Sequence, residues 1–256
     1  MAPAAVPVAT VRLRAMIRSL ILLFVIPLYT LLAGLVAIPI AALTGSSFLL
    51  YGLGRLGVRL GLAIAGVRLI VHGQERLPPG RHFVYMMNHA SNLDVPAVFL
   101  VLKGEVRALG KKELFRLPVL ATAMRMGGFI PIDRSNRDRA IESMRQAVQI
   151  AREGASFLLA PEGTRSRNGG LLPFKKGGFY LAIDSAVPIV PITVRGAHQL
   201  MPPGSFSIRP GTIEIFFHEP LATSQLSHKD RRRLMEKVRE LIESRLSPAS
   251  PNPTSG

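Results

Sequence analysis

Between Ser19 and Leu43 the chain runs for 25 residues without a charged side chain. As a helix this run rises ~1.5 Å per residue to about 38 Å, more than the ~30 Å hydrocarbon core of a bilayer. It predicts a membrane-attaching helix, bent at Pro27 and Pro39. A cleaved secretory leader is the competing reading. Its apolar region spans about 7–15 residues, and this run is too long for one. Residues Met1 to Val11 are small and apolar with two prolines, and read as disordered.

A second helix is expected from Ser47 to Gly66. It is apolar except for Arg55 and Arg59, four residues apart and so on one face. That spacing suits a helix at the level of lipid headgroups. The first 66 residues carry five Arg (12, 14, 18, 55 and 59) and no acid. Basic residues flank the long apolar run on both sides, so charge bias does not orient a single span. A monotopic hairpin with both ends in the cytosol fits as well as one crossing.

The whole chain has 32 Lys and Arg against 16 Asp and Glu, a net charge of +16, and is 48% hydrophobic. Such a charge attracts nucleic acid or anionic lipid. There is no Trp, there are only four Tyr, and no nucleic-acid-binding motif is visible. The apolar N-terminus favours lipid, and no nucleic-acid partner is expected. The lack of Cys excludes disulfides, thiolate metal sites and a Cys nucleophile.

From Val67 the pattern changes to short β-rich runs alternating with amphipathic helices. Strands are expected at Val67–Val71, Phe83–Met87, Val106–Gly110, Gly128–Ile132, Ser156–Ala160, Val187–Val194 and Thr212–Phe217. A helix is expected from Asn136 to Glu153, with Ile141, Met144, Val148 and Ala151 on one side. The last helix is expected to start near Ser227, with Asp230 completing a capping box, and to bury Leu234, Val238, Leu241 and Ile242. The fold class is therefore α/β, a central mixed sheet flanked by helices with an N-terminal membrane-attaching segment. The expected organisation is anchoring helices over 1–66, a catalytic domain over 67–246 and a loose Pro/Ser-rich tail over 247–256.

Six His are present, and only His89 follows an expected strand with a carboxylate five residues on, Asp94. A His leaving a strand and an Asp opening the next helix can face each other across a tight turn. The Asp then fixes one ring nitrogen and leaves the other to accept a proton. On this pattern alone, a satisfied turn with Asp94 as a helix cap is the favoured reading, because the spacing is short. The run from Phe157 to Ser166 leaves a strand into a loop, Pro161-Glu162-Gly163-Thr164-Arg165, able to offer N–H groups and an Arg to an anion. A surface loop with a Glu–Arg ion pair is its alternative. Lys111 follows a strand, and Asp133-Arg134 ends one. A solvated helix start and a strand-end ion pair are the plain readings of these two. No His or carboxylate grouping has metal-ligand spacing.

Taken together, these runs resemble the lysophospholipid acyltransferase family. Its N-H-x-S-x-x-D motif matches Asn88, His89, Ser91 and Asp94, and its K-x-E-L run matches Lys111, Glu113 and Leu114. Its G-x-I-x-I-D-R-like block matches Gly128 to Arg134, its E-G-T-R-S block matches Glu162 to Ser166, and its V-P-I-x-P block matches Val187 to Pro191. Five motifs in order are specific where each alone is weak. Asn92 departs from the pattern, standing where an aromatic is common.

The resemblance implies a glycerolphosphate acyltransferase-type fold. It implies transfer of a fatty acyl group from acyl-CoA or acyl carrier protein to the sn-2 hydroxyl of 1-acylglycerol 3-phosphate (lysophosphatidate), giving phosphatidate. His89 would be the general base and Asp94 its orienter. Lys111, Arg134, Glu162, Gly163, Thr164 and Arg165 would hold the acceptor phosphate, and Ser91 would brace the turn. No cofactor or metal is expected. The anionic surface of the cytoplasmic (inner) membrane would be the location, with the catalytic domain facing the cytosol. Another lyso-lipid acceptor, such as a lyso-ornithine lipid, and a lipid or thioester hydrolase are the alternatives. The absence of a G-x-S-x-G nucleophile elbow argues against the hydrolase.

Overall fold

The computed structural model describes residues 8–246, with side chains from Met16 onward. The expected tail over 247–256 lies outside the described residues, as do residues 1–7. Helix α1 (Val8–Thr44) runs unbroken through Pro27 and Pro39. It begins inside the stretch expected to be disordered, because no Gly or Pro interrupts the chain between Pro7 and the apolar run. A turn at Gly45-Ser46-Ser47 leads into α2 (Phe48–Ala65), which Gly66 ends in the left-handed conformation. The helices form a hairpin. The Tyr29 hydroxyl donates to Leu53 O at 2.7 Å, and its ring lies over Gly57, where a Cβ would come within 2.5 Å of a ring carbon.

Both α1 and α2 are long and apolar enough to cross a membrane. One face of α1 is exposed along its length, through Leu20, Phe24, Leu28, Leu31, Leu35 and Leu43. This is the composition of a membrane-associated surface. Arg55 does not sit on that surface as expected. Its guanidinium turns inward, donates to the carbonyls of Leu102 and Gly104, and lies over the rings of Tyr51 and Phe99. Arg59 remains exposed.

Seven strands form one sheet: β1 (Val67–His72), β2 (Val84–Met87), β3 (Val106–Lys111), β4 (Ile130–Ile132), β5 (Ser156–Leu159), β6 (Ile189–Arg195) and β7 (Gly211–Phe217). Their order is β1-β7-β6-β2-β5-β3-β4. Five strands, β6 to β4 in that order, are mutually parallel. The pair β1 and β7 runs opposite to them. The expected mixed sheet is therefore present.

Three strands start later than expected, each for a local reason. The Phe83 N–H bonds the side-chain hydroxyl of Ser156 on β5 rather than a backbone carbonyl. Gly128 occupies a positive-φ turn. Pro188 has no N–H to give.

Helices cover both faces. These are α3 (Asp94–Val101), α4 (Pro118–Met126), α5 (Arg137–Arg152), α6 (Gly177–Ser185), α7 (Ala197–Leu200) and α8 (Arg231–Glu243). Residues of β2 alternate between two cores. Phe83, Tyr85 and Met87 join the core shared with α1, α2 and α3, while Val84 and Met86 join the core with α5, α6 and α8. Burial on both faces explains why β2 and β5 read as continuous apolar runs.

In α5, Asn136 caps the helix by accepting from Arg139 N at 3.0 Å. Its buried contacts are Ala147 and Ala151, with Met144 and Val148 beside them, whereas Ile141 is exposed. The last helix begins at Arg231, later than expected. Asp230 Oδ2 accepts from both the N–H and the hydroxyl of Ser227, closing a separate turn ahead of the helix. Leu234, Val238 and Ile242 are buried and Leu241 only half-buried.

Candidate active site

Parallel strands carry their C-terminal ends to one rim of the sheet, and the residues singled out from the sequence gather there. The end of β2 leads to His89, that of β3 to Lys111, that of β4 to Arg134 and that of β5 to the Glu162–Arg165 loop. A crevice outside such strand ends is where open α/β sheets place ligands.

Asn88 closes β2. Its side-chain amide donates to Val194 O at 2.9 Å and accepts from Val194 N at 2.7 Å, continuing the β2–β6 pairing through a side chain. The chain then turns sharply, and Asp94 opens α3 almost fully buried. One oxygen, Asp94 Oδ2, accepts three hydrogen bonds: from His89 Nδ1 at 2.9 Å, Ala90 N at 2.7 Å and Ser91 N at 2.7 Å. An ionised carboxylate only accepts, so Nδ1 carries the proton and Nε2 of a neutral His89 is the free base. The His89 side chain keeps 15% of its surface exposed, against 1% for Asp94. The two plain readings, a satisfied turn and a base with its orienter, are met by the same geometry. Among the described residues His89 Nε2 has no hydrogen-bond partner. Ser91 is fully buried. Its hydroxyl donates to Met201 O at 2.8 Å and accepts from Leu93 N at 3.1 Å, so it braces the turn.

Glu162 does other work than that expected of a phosphate ligand. Its carboxylate is buried beneath the loop. Oε1 accepts from His89 N at 2.6 Å and Oε2 from Leu172 N at 2.8 Å. Burial pushes its pKa up, and the two backbone N–H groups and His89 oppose that shift. A carboxylate would repel a phosphate, so the inward position removes that conflict. Since Ser166 N also donates to His89 O at 2.8 Å, both backbone polar groups of His89 are held by this loop.

Cations surround the loop on its outer side. Arg165 Nη1 donates to Asn92 Oδ1 at 2.7 Å, and Arg134 Nη1 donates to Gly163 O at 2.6 Å. Each guanidinium has further N–H donors to give. Gly163 sits at φ 70°, and a Cβ there would fall 2.8 Å from Lys175 Cε. Only glycine lets Lys175 cross this close. Lys175 was not apparent from the sequence, although the Phe174-Lys175-Lys176-Gly177 run opening α6 was its signal.

Lys112, not Lys111, pairs with Asp133, at 2.8 Å. That bond, with the Ser135 hydroxyl, holds the Asp133 carboxyl well below the usual carboxylate range. Lys111 is 60% exposed and 3.6 Å from Glu113. Among the described residues it makes no hydrogen bond to the His89 turn or the Glu162 loop. Thr164 is exposed at the loop's crest.

Beside the turn lies an apolar cavity of about 530 Å³. It runs between α1, α2, α3 and α4, walled by Leu22, Tyr51, Gly54, Leu93, Phe99 and Leu158 among others. Leu93 belongs to the His89–Asp94 turn, so the cavity begins at that turn.

A carboxylate-held imidazole with cations on one side and an apolar cavity on the other is the class of site able to take a proton from a bound amphiphile. Comparison with known proteins gives that class its family. The acyltransferase family model matches residues 68–195, half of the chain, and the chain belongs to that family. A 1-acyl-sn-glycerol-3-phosphate acyltransferase of Chlamydomonas reinhardtii is 34% identical over 183 residues, covering 71% of this chain and 54% of that relative. The 1-acyl-sn-glycerol-3-phosphate acyltransferase alpha of Homo sapiens is 31% identical over 138 residues, 54% of this chain and 49% of its own. The chain thus spans about half the length of these curated relatives. The crystal structure of the 1-acyl-sn-glycerophosphate acyltransferase PlsC from Thermotoga maritima shares the fold, with a TM-score of 0.79 and 22% identity. That match covers 91% of this chain and 96% of the other.

Proposed function

We propose that this chain moves a fatty acyl group from an acyl thioester to the free sn-2 hydroxyl of 1-acylglycerol 3-phosphate, giving phosphatidate. The observation that carries the reading is the His89–Asp94 pair, whose three bonds at Oδ2 leave His89 Nε2 unspent. The names of the relatives support the acceptor.

In this mechanism Nε2 takes the hydroxyl proton as the oxygen attacks the thioester carbonyl carbon. Asp94 stabilises the imidazolium that forms. The tetrahedral intermediate collapses, the C–S bond breaks, and the departing thiolate takes the proton back from Nε2. Every bond and proton is accounted for by His89 and the two substrates, so the reaction needs no cofactor. Such a base contributes about 10²–10⁴ in rate.

Arg165, Arg134, Lys175 and Lys111 hold the acceptor phosphate, with the Gly163-Thr164 backbone beside it. The apolar cavity takes a fatty chain, drawn from lipid between α1 and α4. The thiol carrier is coenzyme A or acyl carrier protein.

The hairpin lies along one leaflet rather than crossing the bilayer. Its turn is fastened to the sheet end away from the rim, through Ser47 Oγ donating to Glu105 Oε1 at 2.6 Å and through Arg55. An upright hairpin would pull that end of the catalytic domain into the hydrocarbon. The rim then faces an anionic leaflet from the cytosolic side of the inner membrane.

The test is phosphatidate formation by purified protein in detergent from labelled acyl-CoA and lysophosphatidate, with His89→Ala alongside. Formation by wild type and its loss in the variant support the reading. Free fatty acid as the sole product identifies a hydrolase. Preference for a lyso-ornithine lipid overturns the acceptor, and equal activity of the two proteins overturns the role of His89.

A further inference from the structure

A second apolar group stands in the open, away from the hairpin's own face. Phe206 is 90% exposed, more than any other large apolar side chain described. It tops the loop between α7 and β7. That loop is braced: Ser205 N donates to Pro202 O at 3.0 Å, Ser207 N donates to Ser205 Oγ at 3.1 Å, and Arg209 N donates to Leu200 O at 2.9 Å. Phe206 is therefore held outward by a built turn.

Three contacts give the loop its neighbours. Ile208 N donates to Ser19 Oγ at 2.9 Å, which seats the loop on α1 beside the exposed Met16, Ile17 and Leu20. Ile208 also lines the apolar cavity with Leu22 and Ile26. At the loop's other end Met201 O accepts the Ser91 hydroxyl, inside the His89 turn. Two cations flank it. Arg209 is exposed, and Arg18 lies beside Gly66 and Pro210. An outward aromatic between arginines, continuous with a long apolar helix face, has the chemistry of the bilayer interface.

We infer that the Phe206 loop is a second membrane contact, which inserts Phe206 into the leaflet that holds the hairpin and sets the His89 turn level with the lipid surface. The occupant of this surface is lipid. Arg18 and Arg209 take the anionic headgroups, and the ring takes the upper acyl chains. The inference rests on membrane attachment and not on the acyl-transfer reading.

The chain contains neither Trp nor Cys, so Phe206→Trp introduces a sole indole. Arg232→Trp is the reference. Arg232 is 88% exposed on α8, which packs on the sheet face opposite the hairpin. Each full-length variant is reconstituted in phosphatidylcholine–phosphatidylglycerol vesicles, with and without bromine on the lipid chains. The Phe206→Trp emission is expected to shift to the blue and to be quenched by brominated lipid, while Arg232→Trp stays unshifted and unquenched. Matching behaviour of the two overturns the inference. A blue shift without quenching also overturns it and identifies contact with a second copy of the chain. Should the indole disturb the loop, Phe206→Cys carrying a polarity-sensitive dye reads the same two outcomes. All readouts are spectroscopic, so failure of the acyl-transfer reading leaves this test intact.

Discussion

Arg165 reaches across 73 residues of sequence to donate its Nη1–H to Asn92 Oδ1 at 2.7 Å. The bond ties the loop after β5 to the turn that carries His89, and it aims a guanidinium over that turn. A Phe or Trp side chain at position 92 has no oxygen acceptor to offer, so the arginine would be placed there by other means. Replacing Asn92 by Leu keeps the size and removes the acceptor. The bond is exposed and contributes about 1 kcal/mol. KM for lysophosphatidate is expected to rise roughly fivefold with kcat little changed, the pattern of lost uniform binding. Steady-state kinetics on the two variables separately checks this.

Asp94→Asn is expected to lower kcat by about 10²–10⁴. The amide oxygen can still face the three donors that now meet at Oδ2, but it accepts more weakly than a carboxylate and offers no charge to the imidazolium. A thermal unfolding curve run beside the assay separates the loss of base orientation from loss of the turn itself.

Glu162→Gln is isosteric, yet its NH₂ faces a backbone N–H. One of the two bonds, to His89 N or to Leu172 N, becomes a donor–donor contact. A stability loss of about 1–3 kcal/mol follows from the unsatisfied buried group. Denaturant unfolding in detergent measures it, and unchanged stability would return Glu162 to the loop's outer surface.

Gly163→Ala and Lys175→Ala are expected to couple. A Cβ at position 163 meets the Lys175 stem and also strains a backbone at φ 70°. In the Gly163→Ala background, removal of Lys175 should cost less in kcat/KM toward the phosphorylated acceptor than it does in wild type. A double-mutant cycle reads the difference, and strict additivity would separate Lys175 from this anion site.

His218 makes stability depend on pH. Its Nε2 bonds the Thr193 hydroxyl at 2.9 Å, and that hydroxyl already donates to Ile242 O, so Nε2 carries a proton and the ring is neutral. Burial first, and Arg245 second, push its pKa down to about 4. The unfolded chain, with an ordinary His near ~6.5, then binds the proton more readily than the folded one. Stability from this group is full above about pH 6.5 and declines as pH falls toward 4. His218→Gln should flatten the dependence of Tm on pH in that window.

Much of the fold was legible because both signals it rests on are local. The uncharged run of α1 marked a helix by length alone, and the apolar runs of β2 and β5 marked buried parallel strands. The pairing of His89 with Asp94 was legible through their spacing and the strand ahead of them. What escaped was nonlocal. Arg55 looked like a headgroup arginine because its carbonyl partners, Leu102 and Gly104, lie nearly 50 positions on. Glu162 looked like part of an anion loop because its partners are backbone N–H groups, which no sequence pattern displays. Lys175 was hidden for the same reason: its neighbour is a glycine with no side chain to signal contact.

The reversal of β1 and β7 has a mechanical consequence. Since β1 runs against the parallel strands, Gly66 hands the chain from α2 into the sheet at the same rim as His89, beside Arg18 of α1. The hairpin is thus joined to the sheet by covalent chain at the edge that carries His89 and, among the described residues, fastened by side chains at its far end. His89 therefore lies at the end of the hairpin where the chain itself makes the joint, and Ser47 at the end where hydrogen bonds make it.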